Sequence, residues 1–165
     1  MSTIAWNPDF ETRHEQMDDT HREFVDLLGQ IEAALGDDDA TLLARYDALI
    51  AHTVDHFARE DAWMQANGFA AENCHSTQHK QVLEVVAEVR RLFVDQGKRQ
   101  YVEQLLPALM EWFSQHSQAA DYGLAQILLN PEESGVASEG ELALEGAGDG
   151  VAPARSGCGS SSCGH

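Results

Sequence analysis

Apolar positions recur at alternating spacings of three and four along four stretches of the chain, the mark of amphipathic helices. The first stretch sets His21, Phe24, Leu28, Ile31 and Leu35 on one stripe and runs out at Gly36-Asp37-Asp38-Asp39. The second carries Leu42, Tyr46, Leu49, Thr53, His56, Glu60 and Trp63 and stops at Asn67-Gly68. The third carries His75, His79, Val82, Val86 and Phe93 and stops near Gln96-Gly97. The fourth carries Leu105, Leu109, Trp112 and His116, then Asp121, Leu124 and Leu128, and ends at Asn130-Pro131, because proline disfavours helix at the residue before it. Pro107 falls near the start of this last helix, where it is tolerated or moves the start. Helices of about 18–28 residues with short connections predict an all-α fold, an up-down-up-down antiparallel four-helix bundle.

The stripes are not purely apolar. His21, His56, Glu60, His75, His79, His116 and Asp121 all lie on them, so four inward faces meet around a polar cluster. Each buried imidazole or carboxylate left without a partner costs about 1–3 kcal/mol or more, and metal ions remove that penalty by using the lone pairs. His56 with Glu60, and His75 with His79, are four apart and share a helix face. His116 and Asp121 are five apart, about 140° around an ideal helix, so one ion does not readily take both in the same manner. A pair of metals resolves this, with His116 on one ion and Asp121 reaching across. The stripe itself slips between Trp112/His116 and Asp121/Leu124/Leu128, as a local helical bulge would produce. Seven N/O ligands are too many for one zinc, and imidazoles with bridging carboxylate suit iron. The carboxylate-rich Glu-x-x-His pattern of ferritin-like di-iron proteins does not occur on two of these helices.

Composition narrows the classes. The chain has 165 residues and a formal net charge of −18, which excludes nucleic acid and anionic membrane surfaces as good partners. No stretch approaches the ~20 apolar residues of a membrane span, and Met1-Ser2-Thr3-Ile4-Ala5-Trp6-Asn7 has neither a basic region nor an apolar signal core, so a cytoplasmic location is expected. Residues 1–130 read as the bundle and 131–165 as a flexible tail rich in Gly, Ser and Glu, without apolar periodicity and expected to be disordered, though able to dock a protein partner. Cys158 and Cys163 read as two thiols in that tail; only Cys74 lies in the folded part, which argues against a disulfide framework. Among the other histidines, His14 is expected to be exposed ahead of the first helix, His52 to sit at the surface or behind the ligands, and His165 to be terminal. Cys74 points off the His75/His79 face, and Asp18 is expected as an N-cap or as an acceptor behind His21. Phe57, Trp63, Met64, Trp112 and Phe113 read as core residues that also wall the polar cluster.

Asp18-Asp19-Thr20-His21, His56-Phe57-Ala58-Arg59-Glu60, Met64, His75-x-x-x-His79 and Trp112-Phe113-x-x-His116-x-x-x-x-Asp121 together resemble the bacterial hemerythrins, non-haem di-iron oxygen-binding four-helix bundles. The resemblance covers about residues 4–129 and fills all seven ligand positions of the family pattern. It implies that His75, His79 and His116 bind one iron and His21 and His56 the other. Glu60 and Asp121 would bridge the two beside an oxo or hydroxo group, leaving a vacancy for O2 on the second iron. The sequence departs from the pattern at Asp61, where a second Glu is frequent, at His14-Glu15, where Gly is common, and at Phe113, where a smaller aliphatic is frequent. The function so implied is reversible O2 binding, for carriage, storage or sensing, by a protein that is not an enzyme, since no acid or base stands near the open iron. Iron storage, peroxide scavenging or nitric-oxide-responsive iron handling on the same ligand set is the alternative. A sensor would usually carry an output domain, which tilts the expectation toward carriage or storage.

Overall fold

The computed structural model describes residues 4–132. Helices α1 (Glu15–Ala33), α2 (Asp39–Ala66), α3 (Cys74–Gln96) and α4 (Gln100–His116) are followed by a π-helical turn, Ser117–Asp121, and a short α5, Tyr122–Leu129. The last three form one continuous rod, so the architecture is the expected all-α four-helix bundle.

The order of core residues along each helix gives the topology. A large apolar cluster includes Phe24, Leu28, Ile31, Leu42, Leu49, Phe57, Val82, Val86, Phe93, Leu105 and Phe113. A small one contains Met17, Met64, Phe69, Leu124 and Ala125. α1 runs from the small cluster (Met17) to the large (Phe24 onward), and α2 runs back from Leu42 to Met64. α3 then heads into the large cluster, and the fourth rod returns from Val102 to Leu124. Directions therefore alternate, up-down-up-down. Tyr46 ties α2 to α3 by donating its hydroxyl to the Val86 carbonyl at 2.8 Å. An N-terminal arm lays Trp6 and Phe10 on the large core, with Phe10 edge-on to Phe113 at 5.1 Å.

Helix ends carry specific chemistry. α3 opens with a reciprocal capping box: the Ser76 amide donates to the Asn73 side chain at 3.0 Å, and the Asn73 amide donates to the Ser76 hydroxyl at 3.0 Å. It closes at Gly97, whose φ of 64° is the left-handed conformation that glycine adopts without Cβ strain. Two local expectations are corrected. Pro107 lies well inside α4, which begins at Gln100; it faces solvent on an exposed turn, where water can serve the Glu103 carbonyl that proline leaves without a donor. Asp18 is not an N-cap. The N-cap of α1 is His14, a half-buried residue whose Nδ1 accepts the Met17 amide at 3.3 Å. Asp18 instead reaches back from inside the helix to take the Thr12 amide (2.7 Å), the Thr12 hydroxyl (2.8 Å) and the Arg13 amide (3.1 Å). These bonds hold Arg13 at a φ of 70°, an uncommon conformation for a residue with a side chain.

Cys74, the first residue of α3, is disulfide-bonded; one bridge is not the disulfide framework that the sequence argues against. The tail assigned to 131–165, with Cys158, Cys163 and His165, lies outside the described residues except for a turn at Pro131-Glu132. No described helix is long and apolar enough to cross a membrane.

Replacing Asn73 by Ala is expected to cost about 1 kcal/mol, read as a lower urea midpoint at unchanged slope, because the start of α3 loses its cap.

Candidate metal centre

All seven predicted residues meet between the two apolar clusters. His21 follows Met17 by one turn on α1. His56 and Glu60 lie between Leu49 and Met64 on α2, and His75 and His79 open α3. His116 ends α4, and Asp121 ends the π-turn. That turn answers the sequence puzzle of a five-residue spacing: its wider winding brings Asp121 onto the face of His116, with Asp121 Oδ1 at 3.0 Å from His116 Nε2.

The seven form two overlapping groups, each with ligand-type atoms within 4.8 Å of one another. One consists of Glu60, His75, His79, His116 and Asp121; the other of His21, His56, Glu60 and Asp121. Glu60 and Asp121 belong to both. Glu60 lies 2.9 Å from His56 Nε2 and 3.1 Å from His79 Nε2, one oxygen toward each group. Asp121 lies 3.1 Å from His21 Nε2 and 3.0 Å from His75 Nε2, again one oxygen toward each. Despite these approaches, both oxygens of both carboxylates, and Nε2 of His21 and of His75, lack a directed hydrogen bond among the described residues. Glu60 is 1% exposed and Asp121 0%. Lone pairs converging on common points, without N–H vectors aimed along them, are what metal coordination requires and what a hydrogen-bonded core avoids. This buried cluster fits a di-iron site.

Electrostatics agree. Burial and the nearby Asp121 oppose charge on Glu60, yet His56 and His75 hold its carboxyl well below the ordinary range. Burial opposes charge on Asp121 too, and His116, His21 and His75 outweigh it. Burial alone would lower His75, but Asp121 and Glu60 push it up to about 9; His21 is raised in the same way. His116 is lowered, chiefly by burial.

Outer partners fix some of the rings. His79 Nδ1 faces Asp61 Oδ1 at 3.1 Å, and His116 Nδ1 faces Gln78 Oε1 at 2.7 Å. Phe57 stacks on His79 at 3.9 Å and Trp112 on His116 at 4.4 Å. Asp61 was legible in sequence only as a departure from the family pattern, and Gln78 carried no signal, since an amide on a half-polar face looks like any surface residue. His52 belongs to neither group; its Nε2 faces Glu23 at 3.2 Å, as expected for a residue behind the site. Cys74 belongs to neither group either.

A cavity of about 10 Å³, roughly one small molecule's centre, abuts the cluster. Phe24, Phe57, Trp112 and Phe113 wall it, and His56, His116 and Asp121 face it. Phe113 is edge-on to His21 at 5.1 Å, bordering the site as the sequence predicts. The cavity's one hydroxyl, on Thr53, is committed to the Leu49 carbonyl at 2.8 Å.

The family model described as "Hemerythrin HHE cation binding domain" matches residues 12–128. The chain belongs to the hemerythrin family. It is 36% identical over 121 residues to a bacteriohemerythrin of Ralstonia nicotianae, covering 73% of this chain and 85% of that protein. It is also 25% identical over 124 residues to a bacteriohemerythrin of Pseudomonas aeruginosa (74% and 80% covered) and 24% identical over 123 residues to one of Methylococcus capsulatus (73% and 93% covered). Hemerythrin membership and the buried cluster together support a di-iron, oxygen-binding protein.

Anaerobic loading of ferrous iron at pH 7 is expected to release protons, since His75 at about 9 must give up its proton to offer a lone pair. A pH-stat checks this; loading without acid release would mean that His75 is not displaced from its protonated form. In the metal-free protein the same raised value stabilises the fold fully below 6.5, and that contribution is lost as pH rises through about 9.

Proposed function

We propose that His75, His79 and His116 hold one iron, that His21 and His56 hold the other, that Glu60 and Asp121 bridge them, and that the pair binds O2 reversibly for carriage or storage. The observation carrying this reading is the overlap of the two ligand groups at two fully buried carboxylates, each presenting one oxygen to either side. When bound, the irons supply the electrons that O2 binding draws on. The larger group offers five residues and the smaller four, so an open position would fall on the His21/His56 side; the cavity touches His56 of that group and His116 of the other.

The surrounding residues favour binding over turnover. Phe24, Phe57, Trp112 and Phe113 exclude water, and the Thr53 hydroxyl already has an acceptor. Proton delivery turns bound oxygen into an oxidising reaction, and among the described residues lining the cavity there is no free acid for it. A protein so built is a binder rather than an enzyme.

Anaerobic reconstitution followed by O2 addition tests this. Two irons per chain and an O2-dependent visible band that reverses under vacuum are expected; one zinc per chain, or a band that cannot be reversed, would sink it. Glu60→Ala and His79→Ala are each expected to abolish stable two-iron loading, whereas His52→Ala retains both irons by elemental analysis. If His52→Ala loses iron as badly as His79→Ala, the ligand assignment is wrong.

Phe113 is 3% exposed, so Phe113→Ala is expected to cost about 3–5 kcal/mol by cavity formation. Water admitted to the cavity should speed irreversible loss of the O2-dependent band, while Phe113→Leu keeps the pocket dry. Stopped-flow and decay measurements giving equal decay for wild type and Phe113→Ala would remove this ring from the wall of the site.

A further inference from the structure

The two ligand groups are held with unequal firmness. In the larger group, two of three imidazoles have an outer acceptor at Nδ1: Asp61 for His79 and Gln78 for His116. Each acceptor comes from a neighbouring helix, α2 for the α3 histidine and α3 for the α4 histidine, and each ring is also clamped face-on by Phe57 or Trp112. In the smaller group, Nδ1 of His21 and Nδ1 of His56 are both buried and both lack any partner among the described residues. Their rings rest on each other, stacked at 5.2 Å and 19°, and touch Phe113 and Phe57 only by edges.

An imidazole that gives Nε2 to a metal must carry its proton on Nδ1. Where an acceptor waits there, the tautomer and the ring direction are set before the metal arrives, and the ligand is made more basic. Where none waits, the buried N–H is left unsatisfied and nothing sets the ring direction in advance. The larger group also presents five residues against four.

Resting on the two-iron reading above, we propose that Asp61 and Gln78 are positioning residues that make the two metal sites unequal. The His75/His79/His116 site fills first and releases last, and the His21/His56 site, beside the cavity, holds the exchangeable ion.

The test is metal release from the anaerobically loaded full-length protein into excess ferrous chelator, with the urea midpoint of each metal-free variant as a control for folding. Wild type is expected to lose its two irons in two phases, separated on the order of 10–100-fold. The slow phase should survive in His56→Ala and vanish in His79→Ala. Removing both acceptors, Asp61→Ala with Gln78→Ala, should accelerate the slow phase until the two merge, while Asp61→Asn, which keeps an acceptor oxygen, should keep them apart. A urea midpoint near that of wild type in the double variant assigns the change to the site. Two irons leaving wild type in one phase, or a double variant whose slow phase is unchanged, overturns the inequality alone. Binding of no iron, or of one ion per chain, overturns the two-iron reading and this inference with it.

Discussion

Two carboxylates buried at the centre of a helical bundle set the terms for everything around them. Glu60 and Asp121 are almost fully removed from water, and an uncompensated charge in such a place is among the most expensive features a core can hold. Five imidazoles from four helices surround them, and both oxygens of each carboxylate, with Nε2 of His21 and of His75, converge without a directed hydrogen bond among the described residues. The bundle can be complete only when positive charge occupies that space, as protons in part or as metal in full. Metal affinity and the stability of the fold are for this reason one quantity seen from two sides.

The apolar parts are arranged to serve that centre. A large cluster lies on one side of it and a small one on the other; α1, α2 and the last rod pass from one to the other through the polar layer, and α3 starts in that layer and runs into the large cluster. Aromatic rings at the boundary pack against the imidazoles and wall the cavity. Phe57 does both, stacking on His79 and lining the cavity beside His56.

The helices and their alternating directions could be read from the 3–4 spacing because packing here is regular and local. The meeting of seven polar residues at one place could be read because polar groups on apolar stripes have few explanations. Even the slip between His116 and Asp121 announced an irregular turn. What could not be read depends on contacts across helices. Asp18 looks like a helix cap, and only the fold of the 12–14 loop shows it gathering three donors. Gln78 is one amide among several, and only the approach of α4 makes it the partner of His116. Pro107 looks like a boundary, and only the exposed face of α4 shows why the helix can run through it.

The π-turn does more than aim one carboxylate. One additional residue within a helix rotates everything beyond it by about 100° relative to an uninterrupted rod. Val102 to Phe113 therefore keep one phase against the large cluster, while Leu124 and Ala125 keep another against Met17, Met64 and Phe69. The rod is two gears on one shaft, joined at Ser117–Asp121. Losing a single residue there would not merely shorten the helix. It would turn Asp121 out of the centre and Leu124 out of the small cluster in the same motion, so the chemistry of the site and the closure of the bundle's lower end are locked to one count of residues.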